Sequence, residues 1–153
     1  DMVHITHGPV GCSFYTWGGR RFKSKPKEGG QNFNNMFFGT DLQEKNIVFG
    51  GADKLQQAID EAIEIFHPKA IGVYATCPVG LIGDDIQAVA AVSRKKYGIP
   101  ILAFNCEGYK GVTQSAGHHI ANNTVMNDII GTGKGKYKEH SVNLLGEYNI
   151  GGD

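Results

Sequence analysis

Two short apolar runs, Ala70-Ile71-Gly72-Val73-Tyr74-Ala75 and Ile99-Pro100-Ile101-Leu102-Ala103-Phe104, flank a stretch of helical periodicity. Runs of this length without polar alternation suit strands buried on both faces. Between them Ile86, Val89, Ala90, Ser93 and Tyr97 trace one side of a helix, and Gly98 ends it. A strand, a crossover helix and a strand leave one economical arrangement, two parallel strands with the helix packed across them.

The same rhythm extends in both directions. Asp53 is placed to cap a helix whose Leu55, Ile59, Ala62, Ile63 and Phe66 repeat at helical spacing, and His67-Pro68 stops it. Residues 2–6 alternate weakly, as a short strand would, and Ile47-Val48-Phe49 before Gly50-Gly51 reads as a strand end or tight turn. Residues 23–39 are polar, with Phe33, Phe37 and Phe38 interleaved, and read as a long surface excursion of the functional kind. The expected fold is α/β, a parallel sheet flanked by helices on both faces. Its strands are expected near 46–49, 70–76, 99–105 and 142–147, and its helices near 53–66, 84–97 and 112–130. Asp1 is no natural start and no helix closes the last strand. Residues 1–153 are therefore expected to be a single partial α/β domain, an internal segment of a larger multi-domain subunit.

Charge and composition exclude several classes. Lys+Arg 15 balance Asp+Glu 15, so no long-range field recruits nucleic acid or an anionic membrane. No apolar run approaches the ~18 residues of a membrane span, and no signal-peptide pattern opens the chain. The three cysteines, Cys12, Cys77 and Cys106, cannot all pair and form no CxxC, which favours a reduced, cytoplasmic setting. There such cysteines are core filler, nucleophiles or metal ligands.

Cys77 follows one buried strand and Cys106 ends the next, where ligands of open α/β sheets gather. Cys12 closes His7-Gly8-Pro9-Val10-Gly11-Cys12, whose glycines let backbone approach a bulky group. Their spacing matches no zinc ribbon, ferredoxin or thioredoxin pattern, so buried thiols remain the default reading. In the helix at 112–130, Val112, Ala116, Ile120, Met126 and Ile130 form one apolar stripe. Gln114, His118, Ala121, Val125 and Ile129 form a second, polar at its start and apolar at its end, so the helix is expected to pack on both sides. Gln114 and His118 then point into a partly enclosed space away from Val112, Ala116 and Ile120, with a satisfied core histidine as the bland alternative. Asp84-Asp85 reads as a helix cap, His118-His119 diverge too far to share one ion, and Arg20-Arg21 is by default an exposed pair. Gly131-Thr132-Gly133-Lys134-Gly135-Lys136 lacks the spacing of a phosphate loop and reads as a flexible turn.

Taken together, these residues resemble a known family. His7 to Cys12, Asp41-Leu42-Gln43-Glu44-Lys45, Ile47 to Gly51, Cys77-Pro78-Val79-Gly80-Leu81-Ile82-Gly83-Asp84-Asp85 and Cys106-Glu107-Gly108 are similar to the alpha chain of nitrogenase component 1. So are Gln114-Ser115-Ala116-Gly117-His118-His119-Ile120-Ala121-Asn122 and the closing Gly146-Glu147-Tyr148-Asn149-Ile150-Gly151-Gly152-Asp153. The resemblance runs end to end and covers roughly one third of a family chain, within its first, Rossmann-like domain. The run from Phe14 to Pro26 and Thr76 before Cys77 look more like the alternative nitrogenases, iron-only first and vanadium second.

The resemblance implies an oxidoreductase reducing dinitrogen to ammonia and protons to hydrogen, driven by an ATP-hydrolysing iron protein. Cys12 and Cys77 match metal ligands, two thiolates to the 8Fe-7S P-cluster shared with the beta subunit. Cys106 matches no ligand and is expected to be structural. Arg20, Gln114 and His118 match residues lining the active-site cofactor, iron-only or iron–vanadium, whose direct ligands lie outside this segment. Phe49 and Asp84 match the surface where the iron protein docks, and a small delta subunit accompanies the alternative types. Cys12 and Cys77 are expected on the same side of the structure, facing a common space. A cofactor-assembly scaffold and a tetrapyrrole-reductase subunit share the fold; the first generally lacks the Gln114/His118 pair and the second the run from Gly111 to His119.

Overall fold

The computed structural model describes residues 2–21, 36–133, 135 and 139–142, with the side chains of Arg20 and Arg21 outside that description. Four strands form one all-parallel sheet in the order β2-β1-β3-β4: β1 Met2–His7, β2 Phe37–Gly39, β3 Ala70–Ala75 and β4 Ile101–Phe104. The central pair is in register from Met2 opposite Ala70 to His7 opposite Ala75. Six α-helices connect and cover the strands: α1 Val10–Arg21, α2 Glu44–Phe49, α3 Ala52–Phe66, α4 Cys77–Ile82, α5 Ile86–Tyr97 and α6 Gln114–Asp128.

Alternation along the strands divides the sheet into two unlike faces. Val3, Ile5, Ile71, Val73, Ile101 and Ala103 form the core with Leu55, Ile59 and Ala62 of α3 and Ile86 and Ala90 of α5. The other face carries an aromatic row. His4 stacks on Phe37 and on Tyr74, and the Tyr74 ring lies 4.7 Å from Phe104. That row is flanked by α1 and α6, and the cavities described below open against it.

The expected strands at 70–76 and 99–105, and the helices at 53–66, 84–97 and 112–130, are present with small shifts at their ends. Asp85 alone caps α5, accepting from Ala88 N at 2.9 Å. Residues 46–49 are not a strand but lie in α2, whose first turn closes when Asn46 Oδ1 accepts from Gln43 N at 3.0 Å. Their apolar side chains face outward, so burial never selects an extended conformation there. The strand expected at 142–147 lies outside the described residues except for Val142, which is exposed and irregular. Three elements carry no sequence signal: α1, interrupted by Gly11, Gly18 and Gly19; β2, inside the polar excursion; and α4, a short helix with Pro78 and Gly80 in it. Among the described residues, the two-sided packing expected of α6 is not seen: none of its residues is fully buried, and Met126 and Ile130 are exposed.

Candidate functional site

Because all four strands run the same way, β1, β3 and β4 end on one edge of the sheet. Cys12 lies in the first turn of α1 after β1, Cys77 opens α4 after β3, and Cys106 follows β4. The topology thus gathers three cysteines far apart in sequence. All three are half-buried, free of disulfides, and line one cavity of about 630 Å³ with Tyr15, Phe37 and Tyr74. Cys12 and Cys77 therefore do face a common space on one side of the fold.

The turns that carry them are held against each other. Thr76 donates its hydroxyl to the His7 carbonyl at 2.8 Å, and its N–H reaches the same oxygen at 3.2 Å. A Cβ on Gly8 would lie 2.1 Å from Thr76 Oγ1, so only glycine lets the two strand ends come this close. Gly8 was read as leaving room for a bulky group; it leaves room for the neighbouring strand end.

Cys106 differs from the other two thiols. Its Sγ points to the Ala75 carbonyl at 3.6 Å, and burial, reinforced by the Glu107 carboxylate, pushes its pKa up.

A second cavity of about 240 Å³ lies between the sheet and α6, lined by Tyr74, Phe104, Cys106, Gln114, Gly117 and His118, with Ile120 and Ala121. Gln114 and His118 are thus brought together, one helical turn apart, against the aromatic face. Ile120 lines this cavity too, which corrects the expectation that it lies on the side away from His118. The partition between the cavities is Tyr74 and Cys106, which line both; of the two, only Tyr74 carries no sequence signal of such a role. Tyr74 lay hidden in an apolar run, since only the sheet's pleat tells which face its ring occupies. Arg20 stands in the last turn of α1, with its side chain outside the described residues.

Phe49 is 87% exposed at the end of α2, beside Val48 at 73%. Asp84 is different. Its side chain is only 7% exposed and turns inward to His7 Nε2 at 3.2 Å and Gly51 N at 2.9 Å. Among the described residues, no group of three or more His, Cys, Asp or Glu is arranged to hold a single metal ion, and no helix is long and apolar enough to cross a membrane.

The model of the family described as nitrogenase component 1 type oxidoreductase matches residues 1–153. The chain belongs to the nitrogenase component 1 family. It is 74% identical to the nitrogenase molybdenum-iron protein alpha chain of Clostridium pasteurianum, over 100% of this chain and 29% of that protein. It is 58% identical to the protein of the same name from Methanosarcina barkeri, again over 100% of this chain and 29% of that one. Among solved structures, "Nitrogenase Cp1 at pH 5" superposes with a TM-score of 0.85 at 74% identity, covering 100% of this chain and 31% of that one. The chain thus spans about three-tenths of the length of these relatives. The relatives named here are molybdenum-iron proteins, neither iron-only nor vanadium types. Thr76, one basis for the alternative reading, donates its hydroxyl to the His7 carbonyl.

Proposed function

We propose that the intact protein is the alpha subunit of a molybdenum-iron nitrogenase component 1, reducing dinitrogen to ammonia with protons going to hydrogen. The observation that carries this reading is the pair of adjoining cavities at one sheet edge, one bearing Cys12 and Cys77 and the other Gln114 and His118. The names of the relatives favour molybdenum over the iron-only and vanadium alternatives, and with molybdenum no delta subunit is called for.

The residues present fit an iron–sulfur cluster. Two thiols line a largely apolar wall, and Gly11 leaves open space where a side chain would otherwise stand. Cys12 and Cys77 would hold the P-cluster together with ligands from elsewhere in the subunit and from the beta subunit. When bound, the clusters pass electrons received from the iron protein to the substrate site. The chain's own contribution is to seat the cysteines on rigid strand ends, exclude water with Tyr15, Phe37 and Tyr74, and present polar groups at the cofactor's edge. Gln114 orients by its amide, and His118 holds or moves a proton at a ring nitrogen. Arg20 supplies a cation from the last turn of α1, and Phe49 offers an exposed apolar contact to the iron protein. This reading also places the protein in the cytoplasm.

The test combines metal analysis of the full-length protein with one substitution. Iron together with molybdenum is the expected content; iron with vanadium, or iron alone, would return the assignment to the alternative types. His118→Gln keeps a hydrogen-bond donor but removes a titratable group. Its expected outcome is full cluster content, a fall in ammonia formation of about ten-fold or more, and a smaller effect on hydrogen evolution. Unchanged ammonia yield at full cluster content would reduce His118 to a packing residue.

A further inference from the structure

The buried tie between His7, Asp84 and Gly51 is absorbed neither by the cluster ligands nor by the substrate-site residues. His7 is completely buried at the end of β1. The Asp84 carboxylate can only accept, so the neutral His7 ring carries its proton on Nε2, donated to Asp84 Oδ2 at 3.2 Å. Its Nδ1 accepts from the Thr40 hydroxyl at 3.0 Å, while Gly8 N donates to Thr40 Oγ1 at 3.0 Å. Both Asp84 oxygens accept from Gly51 N, at 3.0 and 2.9 Å. A Cβ on Gly51 would stand 2.8 Å from Asp84 Oδ2 and 3.1 Å from His7 Cε1, so the packing requires glycine there.

One imidazole therefore connects three pieces of chain with different duties. Gly51 lies two residues after Phe49 on the proposed docking face. Asp84 stands one residue beyond Gly83, which caps α4, the helix that Cys77 opens. His7 leads through Gly8 and Pro9 into the turn of Cys12. A carboxylate this enclosed is poorly placed to meet a partner's charge, and well placed to hold the docking face at a set position relative to both cysteines.

We infer that Asp84 and His7 are positioning residues that fix the iron-protein docking face relative to the cluster cysteines, with Asp84 acting from inside rather than as a surface charge. This rests on the docking reading of Phe49. Electron transfer falls steeply with distance, so loosening the strut slows transfer within the docked complex more than it weakens docking.

The experiment uses the full holoenzyme with its iron protein and compares Asp84→Ala, Asp84→Asn, His7→Gln and Phe49→Ala. Asp84→Ala and His7→Gln are expected to lower turnover at saturating iron protein about ten-fold, with KM for the iron protein changed by less than about two-fold. Asp84→Asn retains an acceptor for Gly51 N, and its amide can donate to His7 Nε2 once the ring changes tautomer. It is expected to restore turnover to within about two-fold, with an unchanged salt dependence. Loss of cluster iron in Asp84→Ala and His7→Gln, with Asp84→Asn fully loaded, is the stronger form of the same result. The inference is overturned if Asp84→Asn raises KM and flattens the salt dependence, which marks a surface charge contact. It is equally overturned if Asp84→Ala changes nothing, or if all three tie variants lose their clusters. Phe49→Ala tests the docking reading separately: an unchanged KM there removes that reading whatever the tie variants do.

Discussion

At the residue scale, Gly8 and Thr76 approach too closely to admit a Cβ, and their contact joins the two turns that carry Cys12 and Cys77. Adding one methyl at Gly8 forces a clash with a side chain already engaged by the His7 carbonyl. Gly8→Ala in the full-length protein is therefore expected to cost about 1–3 kcal/mol of stability, read from denaturant midpoints, and to lower cluster occupancy. His7 makes a second residue-scale prediction. Burial holds its imidazole below the ordinary value of 6.5, only partly opposed by the hydrogen bond and charge of Asp84, while Lys54 pushes the same way as burial. The folded state then binds fewer protons than the unfolded one just below pH 6.5, so stability falls as pH drops through that value. Above it the contribution is flat. Unfolding midpoints between about pH 7.5 and 5 should decline more steeply for the native protein than for His7→Gln, which cannot titrate.

At the scale of elements, α3 and α5 are sequence-legible helices anchored to a core, while α1 and α6 are helices whose partners are cavities. Leu55 and Ile59 on α3 have no exposed surface and pack on the strand residues of the core. Leu55→Ala is expected to destabilise the protein by about 2–5 kcal/mol, measured by chemical denaturation, with little change in the spectroscopic signature of any bound cluster. α6 behaves differently. Thr113 caps it by accepting from Ala116 N at 3.3 Å, and its inward side presents Gln114 and His118 to open space rather than to tight packing. An amphipathic pattern reports burial, so it identifies α3 and α5, whose apolar faces are buried among the described residues. For the same reason Ile47, Val48 and Phe49 misled: three apolar residues in a row imply a buried strand unless their burial lies in another molecule.

At the scale of the whole molecule, the parallel sheet converts three isolated cysteines into one cavity wall, of which the proposed function uses two, Cys12 and Cys77. The segment 1–153 produced alone is expected to retain no iron after anaerobic reconstitution and desalting, whereas the full subunit with its beta partner retains it. Stable iron binding by the segment would show that this chain supplies a sufficient ligand set by itself, with Cys106 the first residue to substitute.

Sequence alone determined the parallel α/β layout, because buried strands and crossover helices write their burial into local periodicity. It also singled out Cys12, Cys77, Gln114 and His118, because unusual chemistry placed at strand ends and on one helical stripe is visible without coordinates. What it left open depended on which distant residues meet. That Tyr74 and Cys106 divide two cavities follows from strand order and pleat, and that Asp84 turns inward to His7 follows from the contact of β1 with the α4–α5 junction. These are facts of tertiary contact: a carboxylate after a short helix reads the same in sequence whether it faces a partner protein or a buried imidazole.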